Sequence, residues 1–384
     1  LNKSFGAYTV CRLTKQYGGD GEADYYRLPL YPGRVLARAR PGLGIDLAGG
    51  LQRPLGDTPY TLLGAAERGA LGGALCNKVS LCNFTTPDTV RFAELLQALA
   101  PQGCDHALYT SGRDEMVDKA LRAIKYSHQQ ADIVLAFEGT YVGHTTAAAR
   151  SASDHAHAYF EWPKLPHPAR VGDQAALEAL DDAIATYGDR ILTLMIEPIG
   201  ERSGLVIPAT FYAALQERRV QHGLRVSVSE TATGGFRHGH GTCFYVDNTD
   251  LRADQVLWYT GGQLGVVFCA DTTWVDKPLQ LISTWDGDEL CMIRAAHHLR
   301  WALRHRDQIA QRAALMGRMF GEFSEATNLG LCGHVAVDDV EAAAAKLHEQ
   351  GIHVRSSTAG LTLLPPLTID AAQLADGLRA VTEL

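Results

Sequence analysis

Ile191-Leu192-Thr193-Leu194-Met195-Ile196 is a nearly unbroken apolar run stopped by Glu197-Pro198, and Val226-Ser227-Val228 is a second short run that ends at Ser229-Glu230. Between them, Phe211 to Gln221 carries apolar residues at helical spacing and stops at Gly223, where a residue without Cβ suits the turn that ends a helix. Strand, helix, strand in this order implies a mainly parallel sheet covered on both faces. In such a sheet the functional groups collect at the carboxyl ends of the strands. Glu197 and Glu230 both fall there.

The pattern extends in both directions. Upstream, His106–Tyr109 is a short apolar run followed by Thr110-Ser111-Gly112, and Val117, Ala120, Leu121 and Ile124 then recur at helical spacing. Ile133–Phe137 is the next strand and ends at Glu138-Gly139, while Leu177, Leu180, Ile184 and Tyr187 mark a helix for which Asp173 is the expected N-cap. Ser111 and Glu138 therefore share the edge with the two glutamates. Downstream of Gly287 one long helical pattern runs through Ile293, His297 and Trp301 to the neighbourhood of Phe323. A smaller unit follows, with Leu331–Val337, a helix Val340–Glu349, Ile352–Val354, Leu361–Leu364 and a helix from Ala371. The expected division is an N-terminal segment over 1–45 packing with the small domain, a large α/β domain over 46–289, and a small α+β domain over 290–384.

Composition narrows the function classes. The 384 residues are 46% apolar and 20% charged, and Lys plus Arg number 35 against 43 Asp plus Glu, for a net charge of −8. That balance opposes a nucleic-acid binder or a basic membrane-surface protein, since either needs a positive contact face. The eight cysteines form no close pairs, so they read as buried thiols in a reducing cytoplasm. No apolar run is long enough to span a bilayer. His155-Ala156-His157 and His238-Gly239-His240, with Cys243 nearby, have metal-binding side chains but no evident third and fourth ligand, and read as exposed loop histidines rather than a metal site.

Gly44 to Gly50, Thr110-Ser111-Gly112, Phe137 to Thr145, Ile196 to Ile199, Glu230 to Gly234, Ser283-Thr284-Trp285 and Leu363 to Thr368 occur in that order. Together they resemble the class III, ornithine-type aminotransferases of the fold-type I pyridoxal-phosphate family, with the lysine 6-aminotransferase branch nearest. The resemblance implies the fold-type I architecture, a large domain with a mainly parallel sheet flanked by helices plus a smaller α+β domain, and a homodimer whose cavity is built by both subunits. Pyridoxal phosphate needs a lysine amine to hold it as an imine and a carboxylate to keep its ring nitrogen protonated. The resemblance places the carboxylate at Ser229 and the lysine at Thr260, with Gly261 the alternative. Neither side chain can do that work. The Ser111-Gly112 turn of the phosphate cup is present, but Arg113-Asp114-Glu115 follows it, either as an anion site or as an ordinary charged first helical turn. Tyr141 stands where the family stacks an aromatic on the ring, beside Val142, and Ser283-Thr284 where it reaches the neighbouring subunit's phosphate; the alternatives are a core aromatic and a helix cap ahead of Asp286.

The resulting expectation is an aminotransferase-fold protein without covalent pyridoxal phosphate, non-covalent pyridoxal or pyridoxamine phosphate being left open. It is expected to act on a small metabolite by acid–base chemistry of lyase or cyclase type, through Glu197, Glu230 and His144. The alternatives are a non-catalytic partner subunit, and a pyridoxamine-phosphate-dependent dehydratase or residual transaminase.

Overall fold

The computed structural model describes residues 44–384 apart from 57, 58, 77, 78, 80, 82, 83 and 358. The expected N-terminal segment lies outside these residues except for Gly44 and Ile45.

Seven strands form the main sheet: β1 (His106–Thr110), β2 (Ile133–Phe137), β3 (Lys164–Leu165), β4 (Ile191–Ile196), β5 (Val226–Ser229), β6 (Gln255–Tyr259) and β7 (Gly265–Cys269), in the spatial order β1-β7-β6-β5-β4-β2-β3. All neighbours are parallel except β7, which runs antiparallel to both β1 and β6. The β6–β7 connection is the short turn Thr260–Leu264, which is why those two can pair antiparallel; the parallel neighbours need helical crossovers.

Alternate side chains serve opposite faces of the sheet. Val134 and Ala136 of β2 meet Val117, Ala120, Leu121 and Ile124 of the helix Arg113–Ser127. Leu135 and Phe137 face the other way, with Leu194, Ile196, Val226 and Val228, against Leu177 and Leu180 of the helix Asp173–Tyr187 and Phe211, Tyr212 and Leu215 of the helix Ala209–His222. Both faces are thus dry, and each fully buried Leu, Ile or Phe contributes roughly 1.5–3 kcal/mol of transfer free energy. Gly172, at φ 83°, is the N-cap of the Asp173–Tyr187 helix, one residue before the expected Asp173.

The small unit has a four-stranded antiparallel sheet of β8 (Ala326–Leu329), β9 (Cys332–Val335), β10 (Arg355–Ser357) and β11 (Gly360–Leu363), ordered β10-β11-β9-β8. Ile45–Asp46 pairs in parallel with Ile352–His353, joining the start of the described chain to this unit. The long helical pattern after Gly287 is two helices, Glu289–Arg304 and Arg306–Phe320. The break is at His305, whose ring Nδ1 lies 2.7 Å from the Trp301 carbonyl and competes with the backbone ladder. Among the described residues no helix is long and apolar enough to cross a membrane.

Candidate active site

β4 is buried along its whole length and delivers Glu197 to the carboxyl edge with 4% of its surface exposed. Pro198 cannot donate to a ladder, and the chain turns there, with an Ile199–Val206 bridge and a Gly200 N–H to Leu205 carbonyl bond closing the turn. Gly204 sits in it at φ 67°, and a Cβ there would lie 2.5 Å from the Cβ of His334. Glu197 Oε2 accepts the Tyr141 N–H at 2.6 Å and Oε1 accepts the Glu201 N–H at 3.3 Å. Burial outweighs these bonds and pushes the Glu197 carboxyl up to about 8.

Glu201 has the opposite character. Its burial also favours the neutral form, but the guanidiniums of Arg113 and Arg355, each 2.8 Å away, together with Arg202, hold its carboxyl below the usual range. Arg113 comes from the start of the helix after β1 and Arg355 from β10, so one carboxylate ties the two sheets together. Arg113 also donates to the Tyr141 carbonyl at 3.0 Å. The Tyr141 ring carries both guanidiniums: the carbon of Arg202 lies 3.5 Å from its centroid and that of Arg113 4.7 Å, a cation–π arrangement. The Tyr141 hydroxyl is 2.7 Å from His144 Nδ1. Glu197, Glu201, Arg113, Arg202, Tyr141 and His144 therefore form one connected group.

The expected anion cup is filled by the chain's own carboxylates. Ser111 Oγ donates to the Glu115 carboxylate one helical turn ahead, across Gly112, the N-cap. Asp114 Oδ2 accepts from the amides of His144, Thr145 and Thr146. Partial burial opposes this charge, but the Thr145 hydroxyl and those amides keep its carboxyl below the usual range. A Cβ on Gly143 would sit 2.4 Å from Asp114 Oδ1, so the carboxylate can enter only because that position is glycine. The triplet Arg113-Asp114-Glu115 is thus a helix start that makes its own contacts. Val142 is buried, its amide held by Ser153 Oγ at 2.9 Å.

At the end of β5, Ser229 Oγ and Thr231 Oγ1 are buried with no hydrogen-bond partner among the described residues. Glu230 is fully buried; its oxygens accept from Thr233 Oγ1 at 2.6 Å and from the Val246 amide at 2.7 Å, and burial pushes its carboxyl up to about 7. It shares no partner with Glu197 and holds the turn that follows β5. Thr260 Oγ1 donates to the Leu264 carbonyl at 3.0 Å. In the same turn Gly261, at φ 86°, lies so close to the Leu51 carbonyl that a Cβ would be 2.6 Å from it. Thr260 and Thr231 line a narrow recess with Trp258, Arg237 and His298.

Ser283 and Thr284 are exposed, and the Ser283 amide binds the Asp286 carboxylate at 2.6 Å. They do not cap the following helix. That cap is Asp288, whose Oδ2 accepts the Cys291 amide at 3.0 Å. His238 is buried rather than exposed, 1% accessible, and burial pulls its imidazole down to about 3. Among the described residues no three His, Cys, Asp or Glu side chains are grouped to hold a metal ion. The reading of the sequence missed Glu201, Arg202 and Arg355. Glu201-Arg202, in the turn directly after Glu-Pro, was the available signal; Arg355 had none, because only the docking of the small sheet brings it near.

The model of the aminotransferase class-III family matches residues 73–384. The chain belongs to that family. This class-III aminotransferase-fold chain is 26% identical over 383 residues to the L-lysine-epsilon aminotransferase of Amycolatopsis lactamdurans, covering 85% of this chain and 84% of that one. It is 24% identical over 329 residues to a mitochondrial ornithine aminotransferase of Arabidopsis thaliana, 76% of this chain and 67% of that one. Its fold is also that of the lysine aminotransferase from M. tuberculosis in the internal aldimine form, with a TM-score of 0.76, 20% identity and 87% of each chain covered. Members of the class-III aminotransferase family normally use pyridoxal phosphate.

Proposed function

We propose that this class-III aminotransferase-fold protein is an enzyme that moves protons on a small carboxylate-bearing metabolite without covalent pyridoxal phosphate. The observation that carries the reading is the pair Glu197 and Glu201. Neighbouring buried carboxyls have been driven apart, one up to about 8 and one held ionised. A buried carboxyl held neutral beside an ionised one supports Glu197 as the proton-exchanging group, while the ionised Glu201 fixes the arginines around it.

The group that the family normally carries does not suit these side chains. Thr260 has no amine and spends its hydroxyl on Leu264. Ser229 supplies no charge for a ring nitrogen. Glu115 answers Ser111, and the Arg202 guanidinium lies on Tyr141, where a ring would stack. Among the described lysines, Lys119 is engaged with Asp286 and the Tyr109 carbonyl, Lys125 with the Ala131 carbonyl and Lys164 with the Ser151 carbonyl. Lys277 lies over the ring of Tyr126.

In this reading Glu197 enters each cycle protonated at neutral pH and exchanges that proton with the substrate, a step worth about 10²–10⁴ in rate when well placed. Arg113 and Arg202 orient the substrate carboxylate, for which a guanidinium is matched in shape. His144, hydrogen-bonded to Tyr141, relays protons to solvent. Glu201 keeps Arg113 in place. Glu230 takes no part beyond its turn.

A second copy of the chain completes the assembly, a homodimer that the exposed Leu279, Ile282 and Trp285 around Ser283-Thr284 support. Cytoplasmic placement is supported by the described cysteines, all free thiols. The net charge of −8 argues against a nucleic-acid partner. The test is solvent-deuterium incorporation into a panel of 2-oxo acids and amino acids, read by proton NMR. Exchange by the parent protein, reduced at least tenfold in Glu197→Gln, is expected; equal exchange in both proteins would overturn the assignment.

A further inference from the structure

A cavity of about 380 Å³ lies between the helix Tyr60–Glu67, the helix Glu289–Arg304 and the Thr260-Gly261 turn. None of its lining residues belongs to the Glu197 group. Pro54, Leu55, Leu62, Leu63, Leu71 and Ala295 give it an aliphatic wall, and its volume falls within the 300–1,000 Å³ or so usual for small-molecule sites.

The charge along this wall is one-sided. Arg53 and Arg294 both line it, and none of the described lining residues is acidic. Arg53 is paired with Asp46 at 2.6 Å. Arg294 has no carboxylate partner among the described residues; its Nη2 donates to the Gln52 carbonyl at 2.8 Å, which leaves most of its fork of donors to spare. A Cβ on Gly262 would lie 3.0 Å from both Arg294 Nη1 and Cys291 Sγ, so the guanidinium and the sulfur meet beside the turn whose Gly261 forms part of the wall. The sulfur supplies no counter-charge, because burial pushes the Cys291 thiol up and keeps it protonated. Arg294 is half-buried, so it can meet a ligand without first being uncovered.

We propose that this cavity binds an aliphatic monocarboxylate, its carboxylate on Arg294 and its hydrocarbon tail among the leucines. A guanidinium matches a carboxylate in shape as well as charge. An amine would set its own positive charge against Arg294. A dicarboxylate would have to leave its second charge in the aliphatic wall, at a large cost in lost hydration.

The experiment compares hexanoate with hexanamide, which has the same tail without the charge, and with butyrate, which is shorter by two methylenes, by calorimetric titration of the full chain at millimolar ligand. Hexanoate is expected to bind about tenfold more tightly than hexanamide, the size of one hydrogen bond to a charged group, and about tenfold more tightly than butyrate, the size of two buried methylenes. Arg294→Met keeps a flexible apolar stem, so it should bring hexanoate down to the level of hexanamide and leave hexanamide unchanged. With methyl-labelled leucines, the methylenes of bound hexanoate should show nuclear Overhauser contacts to Leu62 and Leu63; this arm needs no variant and stands if Arg294→Met does not fold. Absence of hexanoate binding, including through cover of the cavity by a second copy, would overturn the proposal. So would equal affinity for hexanoate in parent and Arg294→Met, or contacts only to leucines outside this wall.

Discussion

The Glu201 backbone N–H donates to Glu197 Oε1 at 3.3 Å, yet the two side chains are tuned in opposite directions. Both are almost fully buried. The difference lies in what each carboxylate meets: Glu201 is ion-paired with both Arg113 and Arg355, whereas the hydrogen bonds Glu197 makes among the described residues come from backbone amides and the charge of Arg113 reaches it without an ion pair.

The tuning of Glu197 makes stability depend on pH. Its folded value of about 8 lies above the ordinary 4.5, so the folded state holds a proton that the unfolded state releases. This contribution is complete below 4.5 and is lost as pH rises through 8. The buried His238 and His298, pulled from 6.5 to about 3, slope the other way, but only below 6.5. Between pH 6.5 and 8 Glu197 therefore dominates, with Glu230, at about 7, adding in the lower part of that range. One retained proton is worth about 1.4 kcal/mol per pH unit. Urea unfolding at the two ends of that range should show the parent losing about 1–2 kcal/mol more than Glu197→Gln; parallel losses would remove the proton from Glu197.

Glu201→Gln should be far more damaging at neutral pH. It leaves Arg113 and Arg355 facing each other without their shared carboxylate, a loss approaching the roughly 3–5 kcal/mol of a broken buried pair, reduced because the Arg355 side chain is 31% exposed. Because the carboxyl of Glu201 is held below the usual range, its contribution is present above 4.5 and disappears as pH falls through the lowered value. The gap between parent and variant should accordingly shrink in acid, as chemical denaturation can show.

Thr260→Lys alone is expected to give no transaminase activity, assayed with lysine and 2-oxoglutarate. The new amine would enter the aliphatic wall beside Gly261 and Leu51, and Ser229 would still offer no carboxylate. Measurable turnover in this single variant would show that Ser229 has been given too much weight.

Ile282→Asp should disrupt the proposed dimer. Leu279, Ile282 and Trp285 are exposed large apolar residues within seven positions of the chain, the kind of side chain that obligate interfaces cover. Light scattering is expected to report a dimer for the parent and a monomer for the variant.

Much of this was legible in the sequence, for identifiable reasons. β4 and β5 are apolar runs ended by Glu197-Pro198 and Ser229-Glu230, so their place and the edge they feed followed from local pattern. Asp173 and the long helix after Gly287 misled because a cap and a break each depend on one residue, Gly172 and His305, whose neighbours look helical throughout. Glu197 and Glu230 looked equivalent in the sequence. The structure separates them through contacts that span long stretches of chain: Arg113 and Arg355 gather around the turn that follows Glu197, whereas Glu230 is bound by Thr233 and Val246. Sequence spacing carries no information about which side chains a docked sheet brings together.

The central claim, that the chain does not hold pyridoxal phosphate through a lysine, is tested most directly by borohydride reduction of the purified protein after incubation with pyridoxal phosphate, followed by peptide mass spectrometry. The account predicts no pyridoxyl-lysine at stoichiometric yield anywhere in the chain. A stoichiometric adduct on a single lysine would contradict it.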